Sequence, residues 1–267
     1  MIYLKKTPTP PLSSWIRTLW YCRAPHIPHR RERVLPNGCM QIILNLSREY
    51  LTDCGTEGTA NGRLSRAIVV GARARYEVVD TTDMDELVGI LFQPAGFTGL
   101  FHERADLFFE RFVALDDVWA GSNIIERLSE IRTPAGKLQT LEELLTPFAH
   151  RGTRCSELVK QAVHLFQSQG LNVAECGRST GISGRWLSQV FREELGMSPK
   201  LWYRVWRFQA AVRALHCGTD VPWAELALQC GYYDQSHFAN DFRAFSGINP
   251  SLYSSSRGRW QNHVPIR

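Results

Sequence analysis

Polar side chains that can contact nucleic-acid bases occur in two similar sets in the last third of the 267-residue chain. The first set is Arg185, Ser188, Gln189 and Arg192, and the second is Gln235, Ser236, His237, Asn240 and Arg243. Most members of each set are separated by three or four residues, which places them on one face of a helix. Their amide, hydroxyl, imidazole and guanidinium groups donate to or accept from base edges in the major groove, and arginine also reaches phosphates. These residue types at this spacing predict contacts with DNA.

The opposite face of each predicted helix is apolar. The residues that form these faces are Leu187, Val190 and Phe191 in the first helix, and Phe238, Phe242 and Phe245 in the second. An apolar stripe at this spacing packs against the rest of the protein, so the polar face stays free. A solvated amphipathic helix explains either stretch alone. It does not explain why the same arrangement occurs twice.

The sequence around the two helices is repeated as well. The first copy consists of GISGRWL at 181–187, Phe-Arg at 191–192 and GMSP at 196–199; the second consists of GYYDQSHF at 231–238, Phe-Arg at 242–243 and GINP at 247–250. The Phe-Arg, Gly and Pro positions are 51 residues apart, whereas the turn glycines are 50 apart, so the second turn has one extra residue. Each copy predicts a helix, a glycine turn, a second helix and a Gly/Pro stop, which is a helix-turn-helix unit.

A long helix is predicted between the two copies. No Gly or Pro interrupts the sequence between Pro199 and about Cys217, and Gly218 and Pro222 follow it as a helix stop. At about 1.5 Å per residue this helix is about 28 Å long. Successive major grooves on one face of DNA are roughly 34 Å apart. A rigid connector of this length predicts that one chain presents two reading helices to successive grooves.

Residues from about 155 to 255 resemble the DNA-binding domain of the AraC/XylS family of transcription regulators. The likeness rests mainly on residues 231–238, together with Phe242, Arg243, Gly247, Pro250 and Tyr253. The resemblance implies that the base-reading positions are Arg185, Ser188 and Gln189 in the first unit, and Gln235, Ser236, His237 and Asn240 in the second. It also implies that Arg192, Arg207 and Arg243 hold phosphate or brace the scaffold.

The first unit departs from the family pattern in its scaffold helix. It has Cys176 and Gly177 where the family usually has Leu-Ala, whereas the second unit keeps Leu226 and Ala227. Glycine inside a helix costs roughly 1 kcal/mol relative to alanine. We therefore expect the first unit to be less stable than the second and to contribute less to sequence specificity.

The positive charge of the chain is local to this region. Residues 151–267 contain 14 Lys and Arg against 8 Asp and Glu, a balance of +6, whereas residues 1–150 contain 17 against 18, a balance of −1. A positive surface attracts the DNA backbone, so the balance supports the predicted DNA-binding region. So modest a balance would mean little without the repeat.

The first 115 residues predict a β-rich domain. Strand-like stretches occur at 16–21, 39–46, 67–71, 76–79 and 87–92, separated by Gly, Asp and Thr. Short strands at such spacing predict a β-sandwich or a small barrel. In regulators of the AraC/XylS family this position commonly holds a cupin-like β domain that senses a small molecule, and the resemblance implies the same here. The sequence has no His-x-His with a following Glu, so we expect no metal site.

These patterns predict the α+β fold class and a chain of four parts. Residues 1–115 form the cupin-like β-sandwich or barrel that senses the effector, 116–152 a helical linker, 153–256 the all-α domain of two helix-turn-helix units joined by a long helix, and 257–267 a tail. Within the linker, helices are predicted at 122–131 and 137–148. The second of them has Leu138, Leu141, Leu144, Leu145 and Phe148 on one side, which fits either packing within the chain or a dimer seam.

Other classes of protein find little support in the sequence. The seven cysteines (22, 39, 54, 155, 176, 217 and 230) lack Cys-x-x-Cys spacing, which predicts neither disulfides nor a zinc site and leaves redox sensing by Cys22, Cys39 or Cys54 open. The sequence has no apolar run long enough for a bilayer and no hydrophobic signal core, so we expect a cytoplasmic protein without membrane contact. It also has no evident catalytic triad, phosphate loop or paired carboxylates, so we expect no enzyme; a DNA-repair role is a minor alternative.

The sequence as a whole predicts a transcription regulator without a cofactor or a metal. Its expected partners are double-stranded promoter DNA, a small-molecule effector, RNA polymerase and, as an option, a second copy of the chain. In the alternative, the N-terminal domain binds a protein partner or DNA binding is constitutive. The sequence does not determine the effector or its binding residues, the operator, or the choice between activation and repression.

Overall fold

The computed structural model describes residues 1–24, 27–152, 157–218 and 221–266. Antiparallel β-sheets fill most of the N-terminal part, and the rest of the described chain is mainly helical, with one strand at His263–Ile266. The predicted α+β class is therefore confirmed.

The strands of the described residues form two sheets. They are β1 (Ile2–Lys6), β2 (Ile16–Arg23), β3 (Arg31–Val34), β4 (Gln41–Asn45), β5 (Tyr50–Asp53), β6 (Gly62–Ser65), β7 (Ala67–Val70), β8 (Glu77–Asp80), β9 (Glu86–Phe92), β10 (Phe112–Ala114) and β11 (His263–Ile266). The larger sheet has the order β1-β2-β9-β4-β7-β10, and the smaller one has the order β11-β3-β8-β5-β6. Neighbouring strands in both sheets are paired antiparallel.

The two faces of the larger sheet bury different clusters, because side chains alternate along each strand. On one face, Ile68, Val70 and Leu87 pack with Leu51 of the smaller sheet. The other face belongs to the main core, which it shares with the helices. The larger sheet is thus held between the smaller sheet and the helices.

Ten helices follow or interrupt the strands in the described residues. They are α1 (Gly96–Phe101), α2 (Ile124–Ser129), α3 (Pro134–Arg151), α4 (Glu157–Gln169), α5 (Val173–Thr180), α6 (Gly184–Leu195), α7 (Pro199–His216), α8 (Trp223–Gln229), α9 (Gln235–Ser246) and α10 (Pro250–Ser256). Short 3₁₀ turns at 12–14, 81–83, 105–108 and 115–117 complete the connections.

Helix α3 packs its apolar side against other residues of the same chain. Leu138, Leu141 and Leu145 are fully buried in the main core, and the Phe148 ring packs 5.1 Å from Phe101 and 4.9 Å from Trp119. Leu138, Leu141 and Leu145 are therefore not available for a dimer seam, whereas Leu144 and Phe148 are partly buried. Of the two interpretations of this helix, packing within the chain describes the observed contacts.

The last strand comes from the C-terminal tail and joins the sheet of the N-terminal part. Strand β11 pairs with β3 from His263, opposite Val34, to Ile266, opposite Arg31. Just before it, the N–H of Leu35 donates to the carbonyl oxygen of Asn262 at 2.8 Å. The tail predicted at 257–267 therefore returns to the N-terminal sheet, a contact that no pattern in the sequence predicts.

Candidate nucleic-acid interface

The two helix-turn-helix units have the same turn geometry. In the first unit α5 leads through the turn to α6, and in the second α8 leads to α9. The turn glycines, Gly181 and Gly231, have φ angles of +70° and +77°, in the left-handed region that favours glycine. The next N–H donates to a carbonyl of the preceding helix, from Ile182 to Gly177 and from Tyr232 to Ala227, both at 2.9 Å. The repeat seen in the sequence is therefore a repeat of backbone conformation.

The extra residue of the second turn is Tyr233, whose side chain is 85% exposed. It lies just before the residue that caps α9. In the first unit the side chain of Ser183 accepts a hydrogen bond from the N–H of Trp186, at 3.2 Å. In the second, Asp234 accepts from the N–H of His237, at 2.7 Å. Both reading helices thus begin with a side-chain cap, which satisfies one of their free N–H groups.

The shorter turn of the first unit explains sterically why glycine stands at position 177 of the first scaffold helix, α5. A Cβ atom at this position would lie 3.0 Å from the carbonyl oxygen of Ile182, which is closer than most real contacts. The longer second turn accommodates the fully buried Ala227 at the matching position. Glycine therefore fits the tight first turn, while the lower stability of the first unit stays a prediction.

The apolar and polar faces of the reading helices lie as the periodicity predicts. The buried residues include Leu187, Val190, Phe191, Phe238, Phe242 and Phe245. Among the predicted base readers, Arg185, Gln189, Gln235, Ser236 and Asn240 are exposed, and Ser188 and His237 are partly buried. The exposed side chains are free to meet DNA. Their contact with bases stays a prediction.

Three of the predicted readers already have partners within the chain. The hydroxyl of Ser188 donates to the carbonyl oxygen of Gly184 at 2.7 Å, and the Gln189 amide donates to Glu193 Oε1 at 3.2 Å. His237 Nε2 lies 3.8 Å from Asp241 Oδ2. Of these three, only Gln189 is exposed, so the amide of Gln189 exchanges its partner most easily.

The three predicted phosphate-or-scaffold arginines lie in different surroundings. Arg192 and Arg243 are exposed at equivalent positions of α6 and α9. Arg207 of α7 is buried instead, and its Nη1 donates to the carbonyl oxygen of Gly231 at 2.8 Å. Its guanidinium also lies 4.5 Å from the centre of the Tyr232 ring. The geometry of Arg207 is that of a scaffold residue.

Asp241 is a site residue that the periodicity missed. It is 5% exposed on the inner side of α9, where Arg204 Nη2 lies 2.7 Å from Asp241 Oδ1. The side-chain hydrogen bond to Asp241 holds the pKa of Arg204 above its usual value. The signal in the sequence was a carboxylate three residues after Phe238 and one before Phe242, inside an apolar stripe.

The C-terminal ends of both reading helices meet the β domain at the same position of the repeat. A Cβ atom on Gly196, just after α6, would lie 3.0 Å from the carbonyl oxygen of Ala105. A Cβ atom on Gly247, just after α9, would overlap the Tyr76 ring. Arg104 of the β domain also lies 3.6 Å from Glu193 of α6. The ends of both helices therefore contact the β domain, while their first turns remain exposed.

The described residues contain no metal centre or membrane span. They hold no group of three or more His, Cys, Asp or Glu side chains placed to bind a metal ion. No helix in the described ranges combines the length and apolar character needed to cross a membrane. The described cysteines are free, and burial raises the pKa of Cys22 and, more completely buried, of Cys39. Cys155 lies outside the described residues.

Two family models match different parts of the chain. Residues 176–256 match the family model of a helix-turn-helix domain, and residues 5–114 match that of a domain of unknown function, DUF6597. The second match ends at the last residue of β10. No curated protein matches the chain.

Several solved structures are similar to parts of the chain. The C-terminal domain of AraT, a response regulator from Geobacillus stearothermophilus, is 27% identical over 39% of this chain and 89% of its own, with a TM-score of 0.37. A probable AraC family transcriptional regulator from Rhodopseudomonas palustris is 28% identical over 38% and 96%, with a TM-score of 0.34. ToxT from Vibrio cholerae is 12% identical over 85% and 95%, with a TM-score of 0.47.

The fold and the matched domain define a DNA-binding transcription regulator with an N-terminal β domain. Its C-terminal helix-turn-helix domain is of the AraC type, so the resemblance seen in the sequence is confirmed. A module of this kind binds DNA and is not an enzyme.

Proposed function

We propose that this chain regulates transcription by reading two successive major grooves of promoter DNA, under the control of its N-terminal domain. The observation that carries the proposal is the repeated cap and turn geometry, which gives α6 and α9 equivalent exposed faces. Two readers joined by one rigid helix fit a bipartite site better than a single recognition element does.

The connecting helix supports this arrangement. Ser198 caps α7, Pro199 occupies its first turn, and the helix runs without interruption to His216. Its buried side includes Trp202, Val205 and Phe208. At about 1.5 Å per residue the 18 residues span about 27 Å, close to the roughly 34 Å between successive grooves.

We assign base reading and phosphate binding to different side chains of this face. Base reading falls to Arg185, Ser188, Gln189, Gln235, Ser236, His237 and Asn240, among which the exposed members have the freest donors and acceptors. Phosphate binding falls to Arg192 and Arg243, which lie one turn further along each helix. The basic balance of residues 151–267 supplies the attraction that does not depend on sequence.

The contacts of the N-terminal domain with both units support control by this domain. A small molecule that changes how residues 1–115 pack against α6 and α9 would shift the population that is able to bind DNA. We place this effector, RNA polymerase and, as an option, a second copy of the chain among the partners, and we expect the protein to act in the cytoplasm. The linker at 116–152 and the DNA-binding domain at 153–256 complete the proposed division.

A test of two-groove reading uses the full chain and its preferred DNA. Selection from random sequences gives the site, and cleavage footprinting shows whether contacts fall into two blocks one helical turn apart. Inserting about half a turn of DNA between the blocks should weaken binding at least about tenfold, because one reader then faces the wrong side. One block, or an insertion without effect, would contradict the proposal.

Control by a small molecule is tested separately with the full chain. A ligand at about 100 times its dissociation constant stabilises its target by roughly 2.7 kcal/mol, which a thermal-shift screen of metabolites detects. A hit should also change DNA binding. Regulation that depends on a captured protein instead, or binding that no condition changes, would favour the alternative of partner control or constitutive binding.

A further inference from the structure

The inner faces of the two reading helices are not equivalent. In α9 the buried stripe contains Asp241 between Phe238 and Phe242. The matching residue of α6 is the buried Val190. The first unit therefore packs its reading helix through apolar side chains at this position, whereas the second unit has a buried carboxylate there.

Two arginines of the connecting helix hold this carboxylate. Arg204 Nη2 donates to Asp241 Oδ1 at 2.7 Å, and Arg204 Nε lies 3.2 Å from Oδ1 and 3.3 Å from Oδ2. Arg207 Nη2 lies 3.5 Å from Asp241 Oδ2. A guanidinium fork that meets a carboxylate through two nitrogens fixes direction as well as distance.

Arg207 extends the connection to the turn that precedes α9. Its Nη1 donates to the carbonyl oxygen of Gly231, and its guanidinium lies near the rings of Tyr203, at 5.1 Å, and Tyr232, at 4.5 Å. One arginine of α7 thus contacts both the turn and the middle of the reading helix. The cluster formed by Arg204, Arg207 and Asp241 is called the α7–α9 ion cluster below.

A buried carboxylate is costly unless it is paired, and apolar side chains would pack the same helix without that cost. What the ion cluster adds is orientation, because apolar contacts tolerate small rotations and directional hydrogen bonds do not. We propose that Asp241 is a positioning residue that sets the rotation of α9 about its axis, and thereby the base preference of the second unit. The proposal rests on the base-reading function proposed above.

The size of the effect follows from helix geometry. The tip of a side chain lies roughly 6 Å from the helix axis, so a rotation of roughly 20° moves it by roughly 2 Å. Hydrogen bonds to bases weaken over a few tenths of an ångström. Asp241 is next to the exposed Asn240 in the sequence, and its Oδ2 lies 3.8 Å from Nε2 of His237. A small rotation would therefore displace both predicted readers.

The experiment compares variants of the full chain by selection of preferred DNA sequences and by thermal unfolding. Asp241→Asn removes the charge at nearly constant shape, and Arg204→Lys keeps the charge but removes the fork. Asp241→Glu keeps the carboxylate and serves as the conservative rescue. Arg213→Lys is the matched control, since Arg213 is an exposed arginine on the opposite side of α7.

Asp241→Asn and Arg204→Lys should lower discrimination at the half-site of the second unit by about fivefold or more, and leave the first half-site and non-specific binding within about twofold. Asp241→Glu should recover part of the preference, and Arg213→Lys should change nothing. If Asp241→Asn does not fold, Arg204→Lys carries the test, because its side chain is already 35% exposed.

Two results would overturn the proposal. If affinity fell equally for all sequences while base preferences stayed unchanged, the ion cluster would be structural only. If Asp241→Asn altered both half-sites alike, the rotation of α9 would not be what changed. A wild-type chain without a two-part preferred site would instead contradict the function on which the proposal rests, and this outcome is visible before any variant is made.

Discussion

The backbone N–H of Tyr76, just before β8, donates a 2.9 Å hydrogen bond to the carbonyl oxygen of Phe245 in the last turn of α9. The last four carbonyls of a helix have no partner within the helix, so the β domain supplies one from outside. The Tyr76 ring also lies against one side of Gly247, where a Cβ atom would meet it. Helix α9 of the DNA-binding domain thus ends against the β domain.

The contact at Gly247 predicts a stability effect with two separable parts. Gly247→Ala should lower the free energy of unfolding by about 2–3 kcal/mol, since the residue has a φ of +72° and its new Cβ would meet the Tyr76 ring. Urea unfolding of the full chain measures the loss. Gly218→Ala is the control, because its φ is +78° and only the flexible Arg257 side chain lies near.

Tyr76→Ala should remove the excess cost of Gly247→Ala over Gly218→Ala, leaving a loss of about 1–2 kcal/mol from the backbone alone. An equal loss in both glycine variants, or a double variant in which the costs simply add, would mean that the ring does not press on this turn.

A pH effect is predicted at the strand that ties the tail to the β domain. Burial alone would raise the pKa of Glu32, but its hydrogen bonds with His263 and His29 outweigh this and hold the pKa below the usual 4.5. Because the folded-state pKa is the lower one, the unfolded chain binds more protons in this window. The stabilisation is complete above about pH 4.5 and is lost as the pH falls through the folded-state pKa.

His263→Ala should make the loss of stability on acidification shallower, since Glu32 then loses its 2.6 Å partner Nδ1. Urea unfolding at a series of pH values between about 3 and 6 gives the slopes. His164→Ala, an exposed histidine on α4, should keep the wild-type slope. Identical slopes for all three proteins would show that the contact with the tail does not stabilise the Glu32 carboxylate.

The features predicted correctly from the sequence are those determined by short-range signals. The two units were predicted from turn glycines 50 residues apart and Gly/Pro stops 51 residues apart, and these are local signals that each act within one turn of helix. The buried residues of α6 and α9 followed from the same periodicity. Likewise β2, β4, β7, β8 and β9 coincide with predicted strand-like stretches, because they are rich in Val, Ile and Leu.

The features that escaped prediction depend on partners distant in sequence. Strand β3 has the sequence RERV, and β11 contains Pro265, which only the edge of a sheet tolerates well. Neither pattern identifies a strand until the other is beside it. Asp241 escaped for the same reason, since its charge predicts exposure unless Arg204 and Arg207 are known to face it.

Base reading is tested at two equivalent positions of the repeat. Gln189→Ala and Asn240→Ala should each cost about 1–3 kcal/mol at the preferred site and little in non-specific binding, because only the base contact is lost. Sequence selection and titration with preferred and random DNA provide both values. If only Asn240→Ala changes the preference, this result supports a smaller contribution of the first unit to sequence specificity. If neither variant changes it, Gln189 and Asn240 do not read bases.

Phosphate binding is tested by the salt dependence of affinity. Arg192→Ala and Arg243→Ala should weaken binding to all sequences and reduce the slope of log K against log salt by about 0.9 per lost contact. Arg207→Ala is the contrast, because its guanidinium is buried against Gly231 and Asp241. It should lower the free energy of unfolding by roughly 2 kcal/mol and leave the slope unchanged. An unchanged slope for Arg192→Ala and Arg243→Ala would point to a scaffold role for them as well.

The last prediction separates DNA binding from its control. Residues 151–267 contain both units, the connecting helix and the basic surplus, so this fragment should bind DNA without the β domain. The fragment lacks the β domain, so β11 has no β3 to pair with and the turn at Gly247 has no contact with Tyr76. Any small molecule that changes DNA binding by the full chain should therefore have no effect on the fragment.

Gel-shift titrations of both proteins, with and without such a molecule, test the separation. A variant of the full chain truncated after Ser256 is the informative control, because it keeps the Tyr76 contact and loses β11 together with the other contacts of the tail, such as that of Arg257 with Leu215. If this variant responds like the intact chain, the helix-end contacts transmit control; if it behaves like the fragment, the tail does. A fragment that folds but cannot bind DNA would mean that the β domain holds the two reading helices in position. A fragment that still responds to the small molecule would place the sensing site inside the DNA-binding domain. This second outcome would contradict control by the N-terminal domain.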